Sequence, residues 1–184
     1  MSTGAPLLAD VARGGEFIVG PKIPTSGNDS QKWGTLLRGR LKRVTKIWER
    51  LYIGNLKDAA QVARSNPKRI GTVISLCEDQ ALQRTSKIIY IHIPLPDARG
   101  ISRQKFEDVM FAIAIGVRRG SVLLHCREGM NRSPIMMAAW MDRCGYSEID
   151  KALAEIAKMR DLAPQRALLN SVKELLRNAP ERRS

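Results

Sequence analysis

SVLLHCREGMNRSPIMMA, residues 121–138, is an apolar strand that ends in His125-Cys126, passes through a polar loop and opens a helix at Arg132-Ser133-Pro134. A cysteine where a strand becomes a helix has a defined electrostatic setting. If the loop curls about a point, the backbone N–H groups of Arg127, Glu128, Gly129, Met130, Asn131 and Arg132 converge there, and the helix N-terminus adds its positive dipole end. Such a cradle binds a tetrahedral dianion and favours the thiolate of Cys126 over the thiol, whose ordinary pKa is about 8.5. Arg132 stands six positions after Cys126. It can return across the curl and form paired hydrogen bonds to two phosphate oxygens, which a lysine could not match. Gly129, in mid-loop, suits a positive φ and a close backbone approach to the anion. The Ser133 hydroxyl can donate to the sulfur and make Cys126 a better leaving group when a phosphocysteine intermediate is hydrolysed. Arg127 is expected to point outward toward substrate. His125 is read as a structural ring bonded to neighbouring backbone.

Outward from this stretch, short branched runs at Leu51 to Ile53, Thr72 to Leu76, Ile88 to Ile93 and Ser121 to Leu124 predict strands. Helical spacing covers Lys57 to Ser65 and Arg103 to Arg118 between them. Downstream it covers Ser133 to Cys144, Glu148 to Met159 behind a Ser147 cap, and Pro164 to Arg177 with proline in the first turn. Alternating strands and helices predict an α/β domain, a sheet covered by helices.

A leaving alkoxide or phenoxide needs a proton that Cys126 and Arg132 cannot supply. Asp97, in the loop PLPDARG after the third strand, is the candidate general acid. Asp108 sits within a helical pattern away from its apolar face and reads as a solvated charge, whereas Asp79 follows another strand within possible reach of the cleft.

The loop HCREGMNRSP resembles the His-Cys-x5-Arg-Ser loop of the protein tyrosine phosphatases, and within them the small atypical dual-specificity phosphatases related to the vaccinia virus enzyme. The similarity runs from about Thr45 to Leu176, through the opening at Ile47 to Asn55, Val73 to Leu76 and IHIPLPD at Ile91 to Asp97. It implies a central, mostly parallel sheet flanked by helices, a two-step phosphocysteine mechanism without metal or other cofactor, and a shallow pocket accepting phosphotyrosine and phosphoserine or phosphothreonine. By the same resemblance Cys126, Arg132, Asp97 and Ser133 are catalytic, and Arg127 to Arg132 bind the substrate phosphate. Asn131 departs from the serine or glycine frequent before the arginine. It also occurs there in related viral and RNA-directed phosphatases, so RNA 5′ ends or phosphoinositides stand as alternative substrates. A non-catalytic phosphate-binding adaptor is the reading from another class.

The chain of 184 residues carries a formal charge of +13 and a pI near 10.2, which favours anionic partners: phosphorylated proteins, RNA or an acidic lipid surface. No aromatic RNA-binding motif or zinc-finger spacing raises nucleic acid above the others. Three cysteines without metal-ligand spacing and only two histidines predict no metal site and a reducing, cytoplasmic setting. No leader pattern and no run of about 18 apolar residues is present. The expected organisation is a flexible arm at residues 1–29, a basic amphipathic helical segment at 30–46, the catalytic domain at 47–178 and a tail at 179–184. The basic segment, with Trp33, Leu36, Leu37 and Leu41 among its lysines and arginines, is a candidate surface for homodimerisation.

Overall fold

The strand that leads into Cys126 lies at the centre of a five-stranded sheet. The computed structural model of the chain describes residues 44–79 and 83–178. The strands are β1 (Thr45–Trp48), β2 (Leu51–Gly54), β3 (Ile70–Ser75), β4 (Ile89–His92) and β5 (Ser121–His125), in the spatial order β1-β2-β5-β3-β4. The pairs β2–β5, β5–β3 and β3–β4 are parallel, and β1 pairs with β2 antiparallel. Among the described residues five helices cover the sheet: α1 (Leu56–Arg64), α2 (Arg103–Arg119), α3 (Arg132–Arg143), α4 (Ile149–Met159) and α5 (Arg166–Arg177).

Alternation along the strands divides two cores. Leu51, Ile53, Val122 and Leu124 face a large cluster with α2, α3, α4 and α5, while Tyr52 and Leu123 face a smaller one with Ala59 and Val62 of α1. Ile70 and Val73 share the smaller core although three positions apart, because the pairing of β3 with β5 shifts register between Ile70 and Thr72. Ile53, Ile74 and Leu124 have no exposed surface, and burying each such side chain contributes about 1.5–3 kcal/mol. A strand buried on both faces is what parallel pairing requires, and β5 meets that requirement with Val122, Leu123 and Leu124 at 0% exposure.

Several expectations need correction. Thr45 and Lys46, read as the end of an amphipathic helix, belong to β1, which returns through Glu49 and Arg50 to pair Thr45 with Ile53 and Lys46 with Tyr52. Thr45, Ile47 and Trp48 suit a strand as well as an apolar helix face, and pairing with β2 together with the Trp48–Tyr146 ring contact at 4.9 Å decides for the strand. Residues 30–43 of that segment, the arm at 1–29 and the tail at 179–184 lie outside the described residues. Ser147 does not cap α4. Glu148 occupies the cap position, and Asp142 Oδ2, from the end of α3, accepts from Ile149 N at 2.8 Å. Pro164 precedes α5, whose cap residue is Gln165. No helix among the described residues is long and apolar enough to cross a membrane.

Candidate active site

The segment between β5 and α3 curls so that its carbonyl oxygens face the protein and its N–H groups face Cys126. On the outside, Arg127 O accepts from Leu56 N at 3.1 Å and Met130 O from Ala163 N at 2.9 Å. On the inside, Gly129 N donates to Cys126 Sγ at 3.2 Å, and the N–H groups of Asn131 and Ser133 point at the same sulfur. Ser133 Oγ lies 3.3 Å from Sγ. Burial alone would push the Cys126 thiol up. The Ser133 hydroxyl and the N–H groups of Ser133, Asn131 and Gly129 outweigh it and hold the thiol below its ordinary value. At Cys77, by contrast, burial dominates and raises the thiol. Of these two cysteines, Cys126 is therefore the one prepared as a thiolate.

The start of α3 is turned toward Cys126. Asparagine ordinarily caps a helix with its side chain, yet Asn131 at the cap position makes no such bond: the Ser133 N–H points at Sγ and Pro134 has no N–H to offer. Gly129 adopts φ +70°, and it packs so tightly that a Cβ there would fall 2.6 Å from Gly54 O and 2.5 Å from Arg160 Nη2. The positive φ expected of this glycine is present, but the close approach is to the scaffold behind the loop.

Arg132 is buried in the wall of the cleft, with Nη1 donating to Leu95 O at 3.2 Å. Asp97 Oδ1 lies 3.1 Å from Arg132 Nε, close enough for ion pairing but off the N–H axis, so Nε makes no hydrogen bond. The Asp97 side chain is 64% exposed. Asp97 and Arg132 line an open cleft of about 170 Å³ with Cys77, Glu78, Asp79, Leu95 and Arg127. Asp108 is elsewhere, on the exposed side of α2, accepting from Gln104 Nε2 at 2.7 Å. Asp79 does reach the cleft, where its Oδ2 is 2.5 Å from Arg127 Nη2. Arg127 is exposed as expected, though ion-paired across the rim. Glu128 is exposed, and Met130 is held through its carbonyl.

Sequence spacing missed Arg160, which follows α4. It is 4% exposed, its Nη1 donates to Ile53 O at 2.9 Å, and its guanidinium stands behind Gly129. Burial lowers its pKa, while the nearby charges of Asp58 and Cys126 oppose that shift. It thus places a buried cation behind Cys126. Nothing in the periodicity of α4 marks a buried arginine; the only available signal was its position beyond the last apolar residue of the helix.

His125 has no exposed surface, and its Nδ1 sits 3.4 Å from Cys126 O. Burial foremost lowers its pKa from 6.5 to about 4. The depressed value means the fold favours the neutral ring. Its stabilisation is complete above pH 6.5 and is lost as pH falls toward 4, when the unfolded chain takes up the proton first. Denaturant unfolding of wild type and His125→Asn should show the wild type losing about 2 to 3 kcal/mol more than the variant between pH 7.5 and pH 4.5. Parallel losses in the two proteins would refute a neutral, structural His125.

Comparison with known proteins places this geometry. The family described as dual specificity phosphatase, catalytic domain, matches residues 51–177. The dual specificity protein phosphatase OPG106 of vaccinia virus is 35% identical over 100 residues, covering 53% of this chain and 58% of the viral protein. The chain thus spans less than two thirds of that relative's length. Among solved structures, a mouse putative dual specificity phosphatase complexed with zinc tungstate superposes with a TM-score of 0.64 at 20% identity, over 73% of this chain and 86% of that one. PTPMT1 in complex with PI(5)P gives 0.61 at 20% identity, over 73% and 94%. These two likenesses concern the fold.

Proposed function

The chain belongs to the dual specificity phosphatase family, and from that premise we propose that it hydrolyses phosphotyrosine and phosphoserine or phosphothreonine of proteins through a phosphocysteine intermediate. The observation that carries this reading is the convergence of the Gly129, Asn131 and Ser133 N–H groups on Cys126 Sγ. In the first step the thiolate attacks phosphorus, the P–S bond forms as the P–O bond to the leaving group breaks, and Asp97 gives that oxygen its proton. The N–H groups and the Arg132 guanidinium meet the charge on the equatorial phosphoryl oxygens. In the second step water attacks phosphorus, the Asp97 carboxylate takes its proton, and the P–S bond breaks with the Ser133 hydroxyl donating to the departing sulfur.

The rim of the cleft supports a substrate carrying one phosphate. Glu78 and Asp79 border it, and Asp79 pairs with Arg127, the exposed cation best placed to hold a second phosphate. A polyanion entering the cleft would meet two carboxylates and an arginine already partnered. The net charge of +13 is what favours the other reading, phosphoinositides or RNA 5′ ends. A panel of phosphotyrosine peptide, phosphothreonine peptide, phosphoinositide and triphosphorylated RNA separates them. The monophosphorylated peptides are expected to lead in kcat/KM by at least about tenfold, equivalent to 1.4 kcal/mol. A lead for the lipid or the RNA would overturn the protein assignment and leave the chemistry standing.

A further inference from the structure

We propose that Asn131 is the positioning residue for the general acid, holding Asp97 by Oδ1 so that Oδ2 carries the transferable proton. The inference rests on the reading of Asp97 as the acid. A primary amide has one acceptor oxygen and two N–H donors, and Asn131 is 9% exposed with both ends in use. Its Oδ1 accepts from Gln165 N at 2.9 Å, while its Nδ2 donates to Asp97 O at 2.7 Å and to Asp97 Oδ1 at 2.9 Å. The orientation of the amide is fixed by its partners, since Gln165 N–H can only donate and Asp97 O can only accept.

One side chain therefore ties three segments together: the loop after β4 that carries Asp97, the loop that carries Cys126, and the connection between α4 and α5. Asp97 has few other restraints. Its side chain is largely exposed, and the Arg132 guanidinium is the other polar group at its Oδ1. Oδ1 faces the Asn131 N–H and the Arg132 guanidinium, both donors, so a proton on Asp97 has room only on Oδ2. The asparagine is free to reach across the cleft wall because α3 offers it nothing to cap: Pro134 has no N–H and the Ser133 N–H points at Cys126 Sγ.

The test compares phenyl phosphate, whose leaving group needs a proton, with 2,4-dinitrophenyl phosphate, whose leaving group does not. Wild type, Asn131→Ser, Asn131→Asp, Asp97→Asn and the Asn131→Ser/Asp97→Asn double variant are assayed on both, with thermal unfolding to check folding. Serine is too short to span Gln165 and Asp97. Aspartate keeps an acceptor for Gln165 N–H but loses both donors, so it serves as the second variant where serine disturbs folding. Each Asn131 variant is expected to lose about 10- to 100-fold on phenyl phosphate in kcat/KM, which reports the steps up to P–S bond formation and leaves out the hydrolysis common to both esters, to lose less than about threefold in kcat/KM on the dinitrophenyl ester, and to add little to Asp97→Asn. Equal losses on both esters, or full additivity in the double variant, would overturn the inference by showing Asn131 to act on the cradle alone. Wild-type rates on phenyl phosphate for Asn131→Asp would overturn it too. An unchanged phenyl phosphate rate in Asp97→Asn removes the acid, and the inference with it. If wild type turns over neither ester, the phosphatase reading itself falls.

Discussion

Cys126→Ser is expected to lose at least about 10⁴-fold in turnover on an aryl phosphate while still binding inorganic phosphate. The donors around Sγ act on a thiol that is already acidic; a serine hydroxyl starts far higher, and the same N–H groups leave it un-ionised at neutral pH. Those donors belong to the backbone of Gly129, Asn131 and Ser133, held from outside by Leu56 and Ala163, so the exchange of sulfur for oxygen leaves the cradle in place. Initial rates give the first half of the result and titration calorimetry with phosphate the second. Turnover within tenfold of wild type would dispose of the covalent mechanism. The pH dependence has a matching sign. In the proposed mechanism the ionised form is the active one, and the donors around Sγ hold the thiol below its ordinary value, so the acidic limb of kcat/KM should rise at a lower pH than a free cysteine would allow.

Gly129→Ala is also expected to be damaging, for a reason that lies in the scaffold. At φ +70° a residue with a side chain is strained by about 1 to 3 kcal/mol. The added Cβ would also stand 2.6 Å from Gly54 O, a backbone atom that can yield only if β2 moves. Arg160 Nη2, at 2.5 Å, belongs to a guanidinium anchored on Ile53 O. The loop must therefore move toward the cleft, carrying the Gly129 N–H off Sγ, and a displacement of about 1 Å is enough to cost about 10²-fold in rate. The expected outcome is a loss of about 10²-fold or more in kcat/KM with stability lowered by about 2 to 4 kcal/mol. Gly71→Ala serves as control, since a Cβ there would meet only Ser121 O, at 3.9 Å. Wild-type kinetics for Gly129→Ala would show that the loop tolerates more movement than its packing implies.

The parts of this protein that the chain wrote locally were legible from it. Val122, Leu123 and Leu124 form an apolar run bounded by Gly120 and the polar loop, so β5 could be read from them alone, and the turn into α3 followed from Arg132-Ser133-Pro134. The place of Asp97 at the cleft could be anticipated because it lies in the loop that follows β4. What escaped depends on partners distant in sequence. Thr45 to Trp48 satisfy helical and strand patterns alike until Leu51 to Gly54 come alongside. Ser147 is a plausible cap until Asp142, from the preceding helix, takes the role. Asn131 reads as one more residue of an anion loop, and only the approach of Gln165 and Asp97 from either side shows what its amide does. Arg160 violates the rule that arginine stays outside, and a rule broken for the sake of the fold leaves no periodic trace.

The strand order has a consequence for how the protein comes into being. β2 and β3 are neighbours in sequence but not in the sheet; the slot between them is filled by β5, which follows the other four strands among the described residues. In the sheet β5 has a hairpin on one side and a parallel pair on the other, and without it their two inner edges would be unsatisfied. Only when Val122 to Leu124 slide into that gap do the halves become one sheet, and His125 and Cys126 arrive with them. The donors that favour the Cys126 thiolate are therefore assembled only where the two halves meet. A chain not yet closed around β5 lacks that field, and there Cys126 is an ordinary thiol.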